Sequence, residues 1–125
     1  VGGAIGSVLR FLIASSINQR AQGASSVPIF PFGTFLVNSI GCFLIGLFFI
    51  VLQQRFTHHS NFDLLRGLIM IGILGGFTTF STFSLETLQL MQVGLWGKAL
   101  LNIIASVGVC IFAAMAGIGI GRVLA

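Results

Sequence analysis

The sequence predicts an all-α integral membrane protein of four transmembrane helices, the third of them broken at mid-membrane, paired as an antiparallel dual-topology homodimer. Three observations lead there. The chain is 56% hydrophobic and only 6% charged, with mean hydropathy +1.10, a composition that soluble domains do not approach. Its charged residues Arg10, Arg20, Arg55, Asp63, Arg66, Glu86, Lys98 and Arg122 mostly punctuate apolar runs, so the net charge of +4 belongs to loops and ends, not to a nucleic-acid surface. Finally, Gly75-Gly76-Phe77-Thr78-Thr79-Phe80-Ser81-Thr82-Phe83 sets paired glycines and β-branched threonines, poor helix formers, inside a long apolar segment.

The first span runs from Gly2 to Ile17 and is somewhat short of the ~20 residues that a crossing helix needs. Val1 stands where an initiating Met would, so its first turns are expected before Val1. Arg10 then falls well inside the span, which argues against a signal peptide. Asn18 to Pro31, with Arg20, Gly23, Ser25, Ser26 and two prolines, reads as a loop.

Phe32 to Leu52 is uncharged and long enough to cross, with Thr34 and Asn38 four apart on one face. Gln53 to Asp63 forms a polar connection; the adjacent His58 and His59 in it are not read as a metal site. The third span covers Leu64 to Leu90, Trp96 marks an interface, and Ala99 to Ile120 is the fourth. Basic residues near the span ends divide as Arg55, Arg66 and Arg122 on one side against Arg20 and Lys98 on the other. That bias is too small to fix one orientation. Insertion both ways is thereby left open, and if both orientations coexist an antiparallel homodimer follows naturally. The glycine pairs Gly2 and Gly6, Gly72 and Gly76, and Gly117 and Gly121 have the spacing that lets membrane helices approach closely.

A broken helix in hydrocarbon frees carbonyls that need protein, water or a cation. Around that break stand the candidate functional groups. Asn38 offers amide donors, to an anion or to another helix. Phe80 and Phe83 share a face, and ring edges are positive, so they suit a small anion; ordinary packing is the plain alternative. Thr79 and Thr82 lie beside them. Asn102, Ser106 and Cys110 form a polar stripe on the fourth span, although serine bonding to its own helix explains single members. Glu86 is the one acidic residue inside a span, and Arg10 is a vestibule charge or a snorkelling anchor. Cys42 and Cys110 both sit in apolar spans, and no disulfide is expected. Neither a nucleophile with its base, nor a metal-ligand cluster, nor a phosphate-binding loop is visible, which excludes the common enzyme classes.

The chain resembles the Fluc/CrcB family of fluoride channels over essentially its whole length. The resemblance is carried by Gly2-Gly3-Ala4-Ile5-Gly6 with Arg10, by Gly33-Thr34-Phe35-Leu36-Val37-Asn38-Ser39-Ile40-Gly41, and by Gly75 to Ser84 with Glu86. It implies passive fluoride export across the bacterial cytoplasmic membrane through two pores, each lined by both subunits of the homodimer. It also implies a structural, untransported Na⁺ on the two-fold axis, held by the Gly75 and Thr78 carbonyls. By position, Asn38, Phe80 and Phe83 would contact fluoride. Thr34, Thr79, Ser81, Thr82, Ser106, Cys110 and Glu86 would complete the pore, with Arg10 in the vestibule. Two departures stand out: the family often has Tyr where this chain has Asn102, and a hydroxyl where it has Cys110. Two readings compete with the channel: a small proton-coupled multidrug exporter using Glu86, and a membrane subunit that transports nothing.

Overall fold

The computed structural model describes residues 1–23, 30–56, 58 and 60–125. The described residues contain helices and no strand. In chain order these are α1 (Gly2–Gln22), α2 (Phe32–Phe56) and α3 (Phe62–Arg66), then a wide π-helical stretch (Gly67–Leu74), followed by α4 (Gly75–Phe77), α5 (Phe80–Gln92) and α6 (Trp96–Leu124). The segment Phe62–Gln92 is one interrupted span, and with α2 and α6 it makes three helices long and apolar enough to cross a membrane. The fourth long helix, α1, carries Arg10 and Arg20.

Two helices run further than their apolar stretches. Asn18 to Gln22, read above as loop, continue α1. The reason is Asn18, which stays helical and turns its side chain outward to accept the Gly33 N–H at 2.9 Å. That gives the start of α2 one of the acceptors its orphan amides require. At the far end α2 continues to Phe56, and Arg55 donates to the Leu124 carbonyl at 2.6 Å, tying the ends of α2 and α6 together. Most of the connection between Gly23 and Pro31, including Ser25, Ser26 and Pro28, lies outside the described residues, as does His59.

The glycine pairs decide which helices touch. A Cβ on Gly6 would run into the Ile73 carbonyl and come within 2.8 Å of the Phe77 nitrogen, and one on Gly76 would lie 3.0 Å from the Gly3 Cα. α1 therefore lies backbone to backbone along the third span. On the other side of the bundle, a Cβ on Gly117 would strike the Phe43 carbonyl and one on Gly46 the Ala114 carbonyl, which packs α6 along α2. Close backbone contact of this kind is how helices associate where lipid offers no hydrophobic contrast. Many large apolar side chains, among them Val8, Phe11, Ile71, Leu100, Ile104 and Phe112, point outward.

The interruption falls at the threonines, while both glycines stay helical. Thr78 (φ −82°, ψ 152°) and Thr79 (φ −152°, ψ 119°) are extended, in the region that β-branched residues favour. Asn38 on α2 clamps the break from both sides. Its Oδ1 accepts the Thr79 N–H at 2.8 Å, and its Nδ2 donates to the Thr79 carbonyl at 3.2 Å. One side-chain amide thus engages both backbone groups of Thr79. Gly76 serves the approach to α1, where it leaves room for Gly3.

Two outcomes test this account by thermal unfolding of the detergent-solubilised protein. Gly76→Val must displace the Gly3 backbone and should cost about 1–3 kcal/mol, whereas Gly97→Ala, which meets nothing within 4 Å, should leave the transition unchanged. Asn38→Ala removes two hydrogen bonds of roughly 1–1.5 kcal/mol each and should abolish hydrogen-exchange protection at the Thr79 amide.

Candidate functional site

The break creates donors and acceptors in a defined order. Thr79 is the N-cap of α5: its Oγ1 accepts the Thr82 N–H at 3.3 Å and lies 3.0 Å from the Ser81 hydroxyl and 3.3 Å from the Thr82 hydroxyl. Since the Thr79 N–H goes to Asn38 and the Thr82 N–H to Thr79 Oγ1, the carbonyls of Gly75 and Thr78 lose the donors that an unbroken helix would give them. Ser7 on α1 reaches the Gly76 carbonyl at 3.5 Å, and the Thr79 carbonyl is taken by Asn38. Gly75 is exposed and Thr78 half-buried. Neutral oxygens freed in this way suit a hard cation. Among the described residues no group of three His, Cys, Asp or Glu gathers as a metal site.

A cavity of about 290 Å³ opens beside the break. Asn38, Thr78, Thr79, Phe80, Phe83 and Ser106 line it, together with Cys42 and Cys110. The rings of Phe80 and Phe83 have centroids 5.3 Å apart and planes inclined by 43°, so they do not stack face to face. Phe83 is buried against its own chain, whereas Phe80 is 76% exposed. Asn38 spends one of its amide hydrogens on Thr79, and its second remains as a donor beside the cavity. No charged side chain lines this space.

Two charged residues, Arg10 and Glu86, meet in a separate cavity of about 250 Å³, lined also by Asn18, Thr34 and Thr82. Thr34 donates to Glu86 Oε1 at 2.8 Å, and Arg10 donates to Thr82 Oγ1 at 3.4 Å. Arg10 Nε and Glu86 Oε2 are buried without a hydrogen-bond partner. Thr82 therefore belongs to both regions: it faces Arg10 on one side and Thr79 on the other.

The stripe on α6 divides. Asn102 is 1% exposed and donates to Thr87 Oγ1 at 2.8 Å, while Thr87 donates to the Phe83 carbonyl at 2.7 Å. Ser106 donates to Asn102 Oδ1 at 3.2 Å. Asn102 thus joins α6 to α5, and of the stripe only Ser106 and Cys110 reach the cavity. Thr34 and Glu86 stand with the charged group, and Ser81 is exposed beside Thr79. Sequence reasoning missed Thr87, Ser7 and Asn18. For Thr87 the one available signal is that a buried Asn102 demands a polar partner on a neighbouring helix.

Residues 1–118 match the family described as CrcB-like protein, Camphor Resistance (CrcB). The chain is similar to the protein named "Fluoride-specific ion channel FluC" of Magnetococcus marinus, 44% identical over 124 residues, covering 99% of this chain and 94% of the relative. It is likewise similar to the protein of that name in Shewanella frigidimarina, 48% identical over 112 residues with 90% and 83% covered. In Phocaeicola vulgatus the corresponding figures are 48% over 118 residues, with 94% and 90% covered. A match over nearly the whole chain, with the break and its Asn38 clamp inside it, makes this protein a member of the CrcB-like family.

Proposed function

We infer that this chain is a fluoride-selective ion channel, a multi-pass protein of the bacterial cytoplasmic membrane and not an enzyme, and that it lets fluoride leave the cell passively. The observation that carries the reading is the uncharged cavity at the break, which Asn38, Ser106, Phe80 and Phe83 line together. Fluoride is small and strongly hydrated. A pore has to replace its water with several moderate donors, yet hold it weakly enough to release it. Amide N–H, hydroxyls and ring edges meet that need. Fixed cations in the cavity would bind too deeply. Arg10, one cavity away beside Thr82, raises the local concentration of anions without entering the narrow part.

The active form we propose has α1 as a fourth crossing and two copies inserted antiparallel. Support for a second copy comes from Phe80, 76% exposed although its partner ring is buried, and from the exposed Gly75 carbonyl side of the break. Two copies meeting there would bring four neutral oxygens from Gly75 and Thr78 around a structural Na⁺. When bound, that ion would supply positive potential to the neighbouring pores. Asn38 keeps those carbonyls free by holding Thr79 away from helical pairing.

Proteoliposome efflux tests the reading. Fluoride should pass and chloride should not. Phe80→Ile and Phe83→Ile should each slow fluoride at least about tenfold, the rate equivalent of roughly 1.4 kcal/mol of lost ring-edge interaction. Unchanged efflux in both variants would remove the ring mechanism. Replacing Na⁺ on both sides by a large organic cation should stop efflux, and persistence would remove the central ion. A proton-coupled exporter would behave differently: cation antiport that vanishes in Glu86→Gln and ignores the phenylalanines.

A further inference from the structure

Cys42 and Cys110 are the chain's two cysteines, both free and half-buried. Both line one cavity at the contact between α2 and α6. The register of those helices explains the meeting. Gly46 approaches the Ala114 backbone so closely that a Cβ would collide with its carbonyl, and Cys42 and Cys110 lie one turn before those residues on their respective helices. One turn further back come Asn38 and Ser106. All four line the uncharged cavity with Phe80 and Phe83.

We propose that Cys42 and Cys110 form a binding site for a soft univalent metal ion of the copper(I) and silver(I) class, and that filling it closes the cavity to anions. Thiolate sulfur is the ligand such ions prefer, and they accept two donors on opposite sides. Zinc, which takes four ligands in structural sites, finds too few here, since no third His, Cys, Asp or Glu joins the pair among the described residues. The step involves no oxidant. Each thiol gives its proton to water, two sulfur–metal bonds form, and two thiolates with one univalent ion leave a net charge of −1. A fixed negative charge in a poorly polarisable space beside Asn38 and Ser106 repels fluoride, and the ion fills the passage. The binding half stands by itself; the closure half rests on the fluoride-channel reading.

The test uses the purified full chain in chloride-free nitrate buffer, because silver chloride precipitates and silver fluoride dissolves. Calorimetric titration with silver nitrate should give one tight site per chain. Cys42→Ser and Cys110→Ser should each weaken it at least about a hundredfold, beyond what loss of an outer partner gives. The double variant, which has no thiol, should show no tight site; Cys42→Ala and Cys110→Ala provide a second pair should serine disturb the helix contact. Absence of a tight site in the wild type, or a tight site in the double variant, overturns the site. In proteoliposomes silver should stop wild-type fluoride efflux, excess free thiol should restore it, and the double variant should keep its own silver-free rate. Wild-type efflux that continues with the site saturated overturns closure. A wild type that passes no fluoride even without silver overturns the channel reading and closure together, while the titration still decides the site.

Discussion

The two hydrogen bonds between the Asn38 amide and the backbone N–H and C=O of Thr79 hold the rest of the structure in place. Interrupting a helix within an apolar span leaves several polar groups to satisfy, each costing several kcal/mol if abandoned in hydrocarbon. Asn38 satisfies the donor and the acceptor of the residue that would otherwise bear most of that cost. Thr79 then caps α5 with its own hydroxyl, and α5 starts afresh with Phe80 and Phe83 on its first turn. The same diversion of N–H groups strips Gly75 and Thr78 of their helical donors. One side chain therefore sets the position of the rings and the availability of the carbonyls together.

The separation of charge from the passage is the second organising feature. Arg10 and Glu86 lie close to the break, yet their hydrogen bonds run to Thr82 and Thr34, and the cavity beside Phe80 and Phe83 is lined by neutral groups. For a strongly hydrated anion this division has a clear physical logic. Charge at a distance attracts through long-range potential, while neutral donors at contact distance keep the bound state shallow. Thr82 marks the boundary between the two.

Much of this was legible in the residues. Hydropathy marked the apolar helices, and the Gly-Gly-Phe-Thr-Thr run marked where the third would fail. Which residues of that run leave the helix was less legible: glycines and threonines are both poor helix formers, but Gly75 and Gly76 stay helical, Gly76 packed against Gly3, and the β-branched threonines take up the extended backbone. A propensity scale carries no information about which helix lies alongside. The stripe of Asn102, Ser106 and Cys110 shows the same limit. Spacing put the three on one face, but only the neighbouring helix decides that Asn102 bonds to Thr87 while Ser106 and Cys110 reach the cavity. Asn18 was unreadable for a related reason, since a polar residue after an apolar run looks like loop until its side chain is seen to cap the next helix.

The wide π-helical stretch over Gly67–Leu74 has its own consequence. A π turn carries an additional residue compared with α-helical winding, so it alters the rotational phase of everything downstream by about 100° per residue inserted. Thr78, Thr79 and the rings that follow are aimed by that phase. Tolerance in this stretch should then be graded by chain length before side-chain chemistry: exchanging one aliphatic residue for another is benign, whereas deleting a single position would unwind the bulge and swing the break away from α2.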